Sequence, residues 1–347
     1  MIKFIARRLL QLVPTVFVIS IILYALLALK PGDPIDDMRR GNPNFTQADY
    51  ERLRALYGLD DPWYIRYWKW LARAVQGDFG PSRQYGMSAT LYVFQYRLPN
   101  TVLLSGLSLL IAFVIAVPLG IYSAIRQHSI ADYAITVLNF MGVSVPIFWL
   151  GILLIYVFSV QIRNFLPAGG LLTPGVSWPD WNTIAANSGG GLLEAFSLYW
   201  SKALAVISDR IKHLVLPVAA LSSLQLAGWT RFMRSAMLEV VNMDYIRTAR
   251  AKGLRERVIV YRHALRNAIL PIITLVALSI PLLFSGAVLT ETVFNWPGMG
   301  TAILGSLLNN DFNVSMVSLM FIALLVLVFN LIADIVYALV DPRIRYE

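Results

Sequence analysis

The chain has 347 residues, of which 57% are hydrophobic and 14% charged, with mean hydropathy +0.63 and a formal net charge of +9. Soluble domains average about 45–50% apolar and about 25% charged residues, so neither a soluble enzyme nor a disordered chain is expected, and an integral membrane domain with sizeable loops is indicated. No cysteine is present, which excludes disulfides, iron–sulfur ligation and thiolate catalysis, and His128, His213 and His263 are too dispersed for paired metal-ligand spacing.

A helix needs about 20 mostly apolar residues to cross a hydrocarbon core of about 30 Å. The first such run covers 9–29 and follows Lys3, Arg7 and Arg8. A secretory signal shares that layout, but this run exceeds the usual apolar region and no A-x-A site follows, so it is expected to be retained. Residues 31–97 then form a large insertion. Pro31-Gly32-Asp33-Pro34 marks the turn out of the membrane, and 46–57 has helical character with Thr46 as a cap. Beyond Pro62, helical spacing puts Trp63, Tyr67, Trp70 and Ala74 on one face, with Arg66, Lys69 and Arg73 on others. Aromatic and basic residues mixed in this way suit a helix in the membrane interface, bracing the rim or touching cargo.

The second and third runs cover 98–125 and 133–162, with Pro146 able to kink the latter. A loop over 163–213 follows, rich in Gly, Pro, Trp and Ser, with a flexible point at Gly189-Gly190-Gly191 and a short surface helix over 194–208. The fourth run, 214–230, is the shortest. A basic segment over 231–267 leads to the fifth run, 268–290. Glu291 and Asn295-Trp296-Pro297-Gly298-Met299-Gly300 form the next loop, where Pro-Gly makes a tight turn and nothing local demands more. The sixth run covers 314–333 and resumes after Asp334 to residue 340. Unbroken runs of this length do not fit β-barrel strands of about 10 alternating residues. The expectation is an all-α integral membrane protein with six transmembrane helices, organised as 1–30, 31–97 and a core over 98–347.

With six spans both termini share a side. Placing them inside gives 15 basic and 6 acidic residues inside against 14 and 13 outside, with Asp334 within the last span. The dense cationic block over 231–266 adjoins two spans, so the positive-inside rule places it, and both termini, in the cytoplasm. On that topology the aromatic and basic helix of the insertion lies outside, where nucleic-acid stacking is not expected.

The cytoplasmic block carries the functional signal. Asp244 can cap a helix running to Lys252, and Gly253 sits where a helix-ending glycine belongs. A second helix runs towards Asn267. Small residues recur at Ala249 and Gly253, and at Thr248 and Ala251, among the cations Arg247, Arg250 and Lys252, with Tyr245 and Leu254 at either end. Physically this is either a docking knuckle for an acidic partner or a loop that binds anionic lipid headgroups. His263 and Arg262 suit anchoring of this loop better than metal binding.

The stretch Asp244-Tyr245-Ile246-Arg247-Thr248-Ala249-Arg250-Ala251-Lys252-Gly253-Leu254, followed by Arg262-His263-Ala264-Leu265-Arg266-Asn267-Ala268, resembles the coupling loop of ABC importer permeases. The likeness is to the B-type permease of the dipeptide/oligopeptide/nickel class, and it covers nearly the whole chain. It includes Ala6-Arg7-Arg8-Leu9, Tyr57-Gly58-Leu59-Asp60, Gly77-Asp78-Phe79-Gly80, Arg97-Leu98-Pro99-Asn100-Thr101 and Pro146-Ile147-Phe148-Trp149. It continues through Leu289-Thr290-Glu291-Thr292-Val293-Phe294, Trp296 to Gly300, and Asp341-Pro342-Arg343-Ile344-Arg345. The wider family has a Glu-Ala-Ala…Gly…Ile-x-Leu-Pro pattern here. This chain has Arg247, Thr248 and Ala249 in the first three places and His263 to Arg266 in the last four, departures shared by the peptide class, so a carboxylate contact at 247 is not carried over.

The resemblance implies a type I ABC importer permease fold with a large extracytoplasmic insertion after the first helix, in a bacterial cytoplasmic (inner) membrane. It implies a heterodimer with a second, C-type permease, two ATP-binding cassette ATPase subunits that press on residues 244–254, and an extracytoplasmic solute-binding protein that delivers peptides. ATP and Mg would be bound by the ATPase subunits. The chain itself has no Gly-x-x-x-x-Gly-Lys-Ser/Thr loop and no Gly-Lys dipeptide, so no cofactor is expected in it. Asn139, Ser144 and Trp149 of the third span, with Ser279 and Ser285 of the fifth, are candidates to line a pathway, although polar residues in spans also serve as packing glue. Asp334 faces the same way as Asn330 and would be the proton site if the chain were instead an ion-coupled secondary transporter.

Overall fold

The computed structural model describes residues 2–30, 35, 45–56, 59–163, 165–188, 191–285 and 287–340, and every regular element among them is helical. In chain order these are α1 (Ile2–Ala28), α2 (Gln47–Leu56), α3 (Trp63–Ala74), α4 (Ala89–Ile125), α5 (Ile130–Ser144), α6 (Ile147–Gln161), α7 (Trp181–Asn187) and α8 (Leu192–Val241). There follow α9 (Asp244–Ala251), α10 (Glu256–Ala268), α11 (Leu270–Ser285), α12 (Val288–Val293), α13 (Met299–Leu308) and α14 (Phe312–Val340). Among the described residues, α1, α4 and α14 each have the length and hydropathy to cross a bilayer, and the pairs α5–α6 and α10–α11 reach that standard only together.

The third expected span is not one helix. Its halves α5 and α6 meet at a bend of 103°. Val145 is extended (φ −88°, ψ 123°) and so is Pro146 (φ −59°, ψ 134°), because a proline drives the residue before it out of the helical region. The surface helix expected over 194–208 and the fourth span are also not separate. Both lie in α8, whose 50 residues extend about 75 Å at 1.5 Å per residue. No breaker stands between them, and Asp209 is held there by the Thr173 backbone N–H (2.7 Å) and hydroxyl (2.7 Å).

The chain divides into two compact units, one comprising residues 1–101, 278–286 and 298–347, the other 102–277 and 287–297. In the first, the expected face of α3 turns inward: Tyr67 and Trp70 are each 3% exposed and join Tyr24 and Met316 in one aromatic core. Tyr24 meets Tyr67 and Phe312 edge-on at 5.4 and 4.9 Å, a geometry that favours ring quadrupoles. Gly77-Asp78-Phe79-Gly80 is a turn latched to the start of α14. Gly80 has φ +88°, and a Cβ there would lie 2.7 Å from Asn313 Nδ2, which instead donates to the Pro81 carbonyl at 2.8 Å. Buried Asp311 accepts from the Ser82 hydroxyl and from the Gln84 N–H.

In the second unit α4 and α8 approach closely at Gly120, where a Cβ would fall 2.5 Å from Met233 Cβ and 2.9 Å from the Thr230 carbonyl. The loop after α12 is more than a tight turn. Phe294 and Trp296 are 1% and 0% exposed. Trp296 packs with Leu104, Leu214 and Val218, and Phe294 with Leu216 and Ala220. Gly169 lies so close to Phe294 that a Cβ would be 2.2 Å from its carbonyl oxygen, and Gly170 N–H donates to that oxygen at 2.8 Å.

Candidate functional site

The basic segment folds as the helix–turn–helix α9–α10, set on a core it shares with the ends of α4 and α8. Ile246 and Ala249 of α9 and Ile259, Val260 and Ala264 of α10 are buried with Ile121, Met233 and Met237. Asn267 Nδ2 donates to the Tyr245 hydroxyl at 2.8 Å and ties the two helices together. The turn is closed by a paired C-terminal motif: Gly253 N–H donates to the Arg250 carbonyl at 2.9 Å and Leu254 N–H to the Ala249 carbonyl at 3.4 Å. That motif needs a left-handed residue, and Gly253 supplies it at φ +75°.

Two expectations are corrected. The residue that caps α9 is Met243 in an extended conformation, without a side-chain cap hydrogen bond. Asp244 is instead the first helical residue, where a carboxylate complements the positive end of the helix dipole. Ala249 does not let a partner approach: it points into the core at 7% exposure, as i+3 from Ile246 requires. The exposed face belongs to Tyr245, Arg247, Thr248, Arg250, Ala251, Lys252, Gly253 and Leu254.

The charges on this face are only lightly engaged. Arg250 Nε pairs with Glu256 Oε1 at 2.7 Å across the turn, and Arg247 with Asp244 at 3.5 Å. Both pairs are exposed and contribute at most about 1 kcal/mol each. The Thr248 hydroxyl is turned back to the Asp244 carbonyl at 2.9 Å. Around the cations stand exposed apolar side chains, Met243 (42%), Leu254 (41%), Val258 (37%) and Tyr261 (57%). This collar was not foreseen from the charges, though its residues are apolar in the sequence. Exposed apolar side chains beside cations are a composition that protein interfaces use. Arg262 is exposed and His263 half-buried on a π-helical turn of α10.

At the start of α5 lies a polar clamp that sequence reading missed. Asp132, 3% exposed, accepts from the Ser123 hydroxyl, from His128 N–H at 3.0 Å, and from Arg234 Nε and Nη2 at 3.2 and 3.0 Å. The forked Arg–carboxylate geometry is a strong, directional contact. It fastens the start of α5 to α8 one turn before the buried Met237. The available signal was Ser129 three residues before Asp132, a helix-start spacing; Ser129 does cap α5, accepting from Asp132 N–H at 3.2 Å.

The proposed pathway residues fall on α5, α6 and α11. Asn139 is half-buried on α5, and Ser144 and Trp149 are exposed on either side of the 103° bend. Ser279 is half-buried and belongs to the first unit. The side chains of Ser285 and Asp334 lie outside the described residues.

Among the described residues every regular element is helical, and several helices are long and apolar enough to cross a bilayer, which is the make-up of an integral membrane protein. The family described as the binding-protein-dependent transport system inner membrane component matches residues 116–346, and its N-terminal membrane component matches residues 1–100. The chain belongs to this family of transport permeases. It is 42% identical over 346 residues to the oligopeptide transport system permease protein AppB of Bacillus subtilis, with 100% of each chain covered. It is 36% identical to the di/tripeptide permease DppB of Pseudomonas aeruginosa and 34% identical to the dipeptide permease DppB of Escherichia coli, again over 100% of each chain.

Proposed function

We propose that this chain is a transmembrane subunit of an ATP-driven importer of peptides. Its partners would be a second, C-type permease, two ATP-binding cassette subunits and an extracytoplasmic binding protein that delivers the cargo. In this reading the chain crosses the membrane six times with both termini in the cytoplasm, and α5–α6 and α10–α11 each serve as one broken span. The observation that carries the reading is the core-anchored turn at Gly253, with cations and apolar anchors facing outward. It is rigid enough to transmit force from a subunit that grips it, because Ile246, Ala249 and Ile259 share a core with α4 and α8. Full-length similarity to three peptide permeases supports the cargo class. ATP would be hydrolysed by the partners; this chain holds, aligns and moves.

Uptake of a labelled di- or oligopeptide by cells carrying the system tests this. Uptake should stop when ATP is depleted and persist with an uncoupler while ATP is held constant. Uptake abolished by the uncoupler at normal ATP would identify an ion-coupled carrier and overturn the proposal.

A further inference from the structure

The first unit contains a half-open cavity of about 1000 Å3 whose wall includes Tyr24, Lys30, Arg66, Trp70 and Arg73. We propose that this cavity binds the phosphate of an anionic phospholipid. Arg66 and Arg73 leave α3 one turn before and one turn after Trp70, and among the described residues neither has an ion-pair partner. By contrast Lys69 is paired with Asp61 at 2.6 Å, and Arg54 with Asp60. Lys30 is held by the Leu307 carbonyl and by Asn310 Oδ1. Two donors in the cavity wall, Arg66 Nε and Trp70 Nε1, are buried without an acceptor. Buried N–H groups in native proteins find partners, and an oxyanion offers acceptors to both.

The rest of the cavity selects a lipid over a small soluble anion. Leu27, Ala28 and Phe312 also line it, giving an apolar part that a free phosphate would leave unused and an acyl–glycerol junction would cover. The outer face of α3 carries Tyr64, Ile65 and Trp68 at 52%, 38% and 58% exposure. Aromatic residues of this kind settle at the headgroup level, which is where lipid phosphates lie. Anionic headgroups add favourable charge to such a basic site.

The test uses the whole importer complex in nanodiscs of phosphatidylcholine alone or mixed in equal parts with phosphatidylglycerol, followed by detergent washing and mass spectrometry of retained lipid. Phosphatidylglycerol should be retained selectively by the parent complex. The Arg66→Gln/Arg73→Gln variant should bind it at least about tenfold more weakly, the loss expected for a charge-assisted hydrogen bond, while Arg52→Gln, exposed on α2, should not change retention. A photoactivatable phosphatidylglycerol on the parent complex should label residues 63–74, a readout independent of whether the double variant assembles. Equal retention of phosphatidylcholine by the parent, labelling confined to other segments, or displacement of the lipid by inorganic phosphate or by peptide cargo would each overturn the proposal.

Discussion

Replacing Gly253 by alanine, asparagine and valine separates the conformational demand of the turn from its steric demand. The backbone there has φ +75°, and a Cβ added to it meets nothing within 4 Å. The cost inside this chain is therefore the left-handed backbone alone, about 1–2 kcal/mol for an ordinary L-residue. Asparagine pays less, because its side chain tolerates that region, and valine is the least tolerant. A cost of this size lowers the population of the closed turn by at most about 5–30-fold, and the apparent affinity of anything that grips the closed turn falls in proportion. In proteoliposomes holding the full complex, peptide uptake and peptide-stimulated ATP hydrolysis should fall in the order glycine, asparagine, alanine, valine, while insertion and expression stay level. Valine at the parent rate would refute the role of the turn. Asparagine and alanine impaired in proportion to their volume would refute the backbone argument and show that a partner surface fills the open space.

Three further outcomes follow from the packing. Asp132→Ala strips the acceptor from the Ser123 hydroxyl, His128 N–H and the Arg234 fork; with Arg234 a third exposed, a loss of about 1–3 kcal/mol is expected, read as a lower thermal midpoint and weaker co-purification of ATPase subunits, with Asp132→Asn intermediate. Gly169→Ala should destabilise more than Gly175→Ala, since a Cβ at 169 would strike the Phe294 backbone whereas Gly175 has open space at φ +88°; equal melting shifts would contradict the close approach. Asp209 loses solvation on burial, but the Thr173 N–H and hydroxyl and the nearby His213 hold its carboxyl below the usual range. A depressed folded-state value means that its stabilisation is present above the ordinary carboxylate range and is lost as pH falls through the depressed value. Acid should therefore loosen residues 171–176 in hydrogen exchange, and Thr173→Val should move that loosening to higher pH.

Local features were legible where spacing alone decides. The face of α3 follows from aromatic residues at helical intervals, and Gly253 from its place after Lys252. Gly77 to Gly80 stood out as a motif, but its reason, the contact of Gly80 with Asn313, depends on residues more than two hundred positions away. The same holds for Phe294 and Trp296: nothing adjacent to them signals burial, which comes from α6, α8 and the loop at Gly169. The clamp of Asp132 and Arg234 went unread, because a sequence does not display which opposite charges meet. Ala249 read as part of a small-residue docking face, although its spacing from Ile246 places it on the core side. The 103° break at Pro146 was foreseen only as a kink; a proline weakens a helix, and the neighbours decide how far the two arms swing.

The claim that a separate ATP-hydrolysing subunit grips the Gly253 turn has a direct measurement. The chain contains no cysteine, so Lys252→Cys carrying a photoactivatable maleimide reports from one exposed point of the turn. In membranes with the intact complex, irradiation should join this chain to an ATP-binding subunit, with a yield that differs between nucleotide-free and ATP-trapped states. Adducts only with lipid, or with a protein on the opposite side of the membrane, would contradict the account.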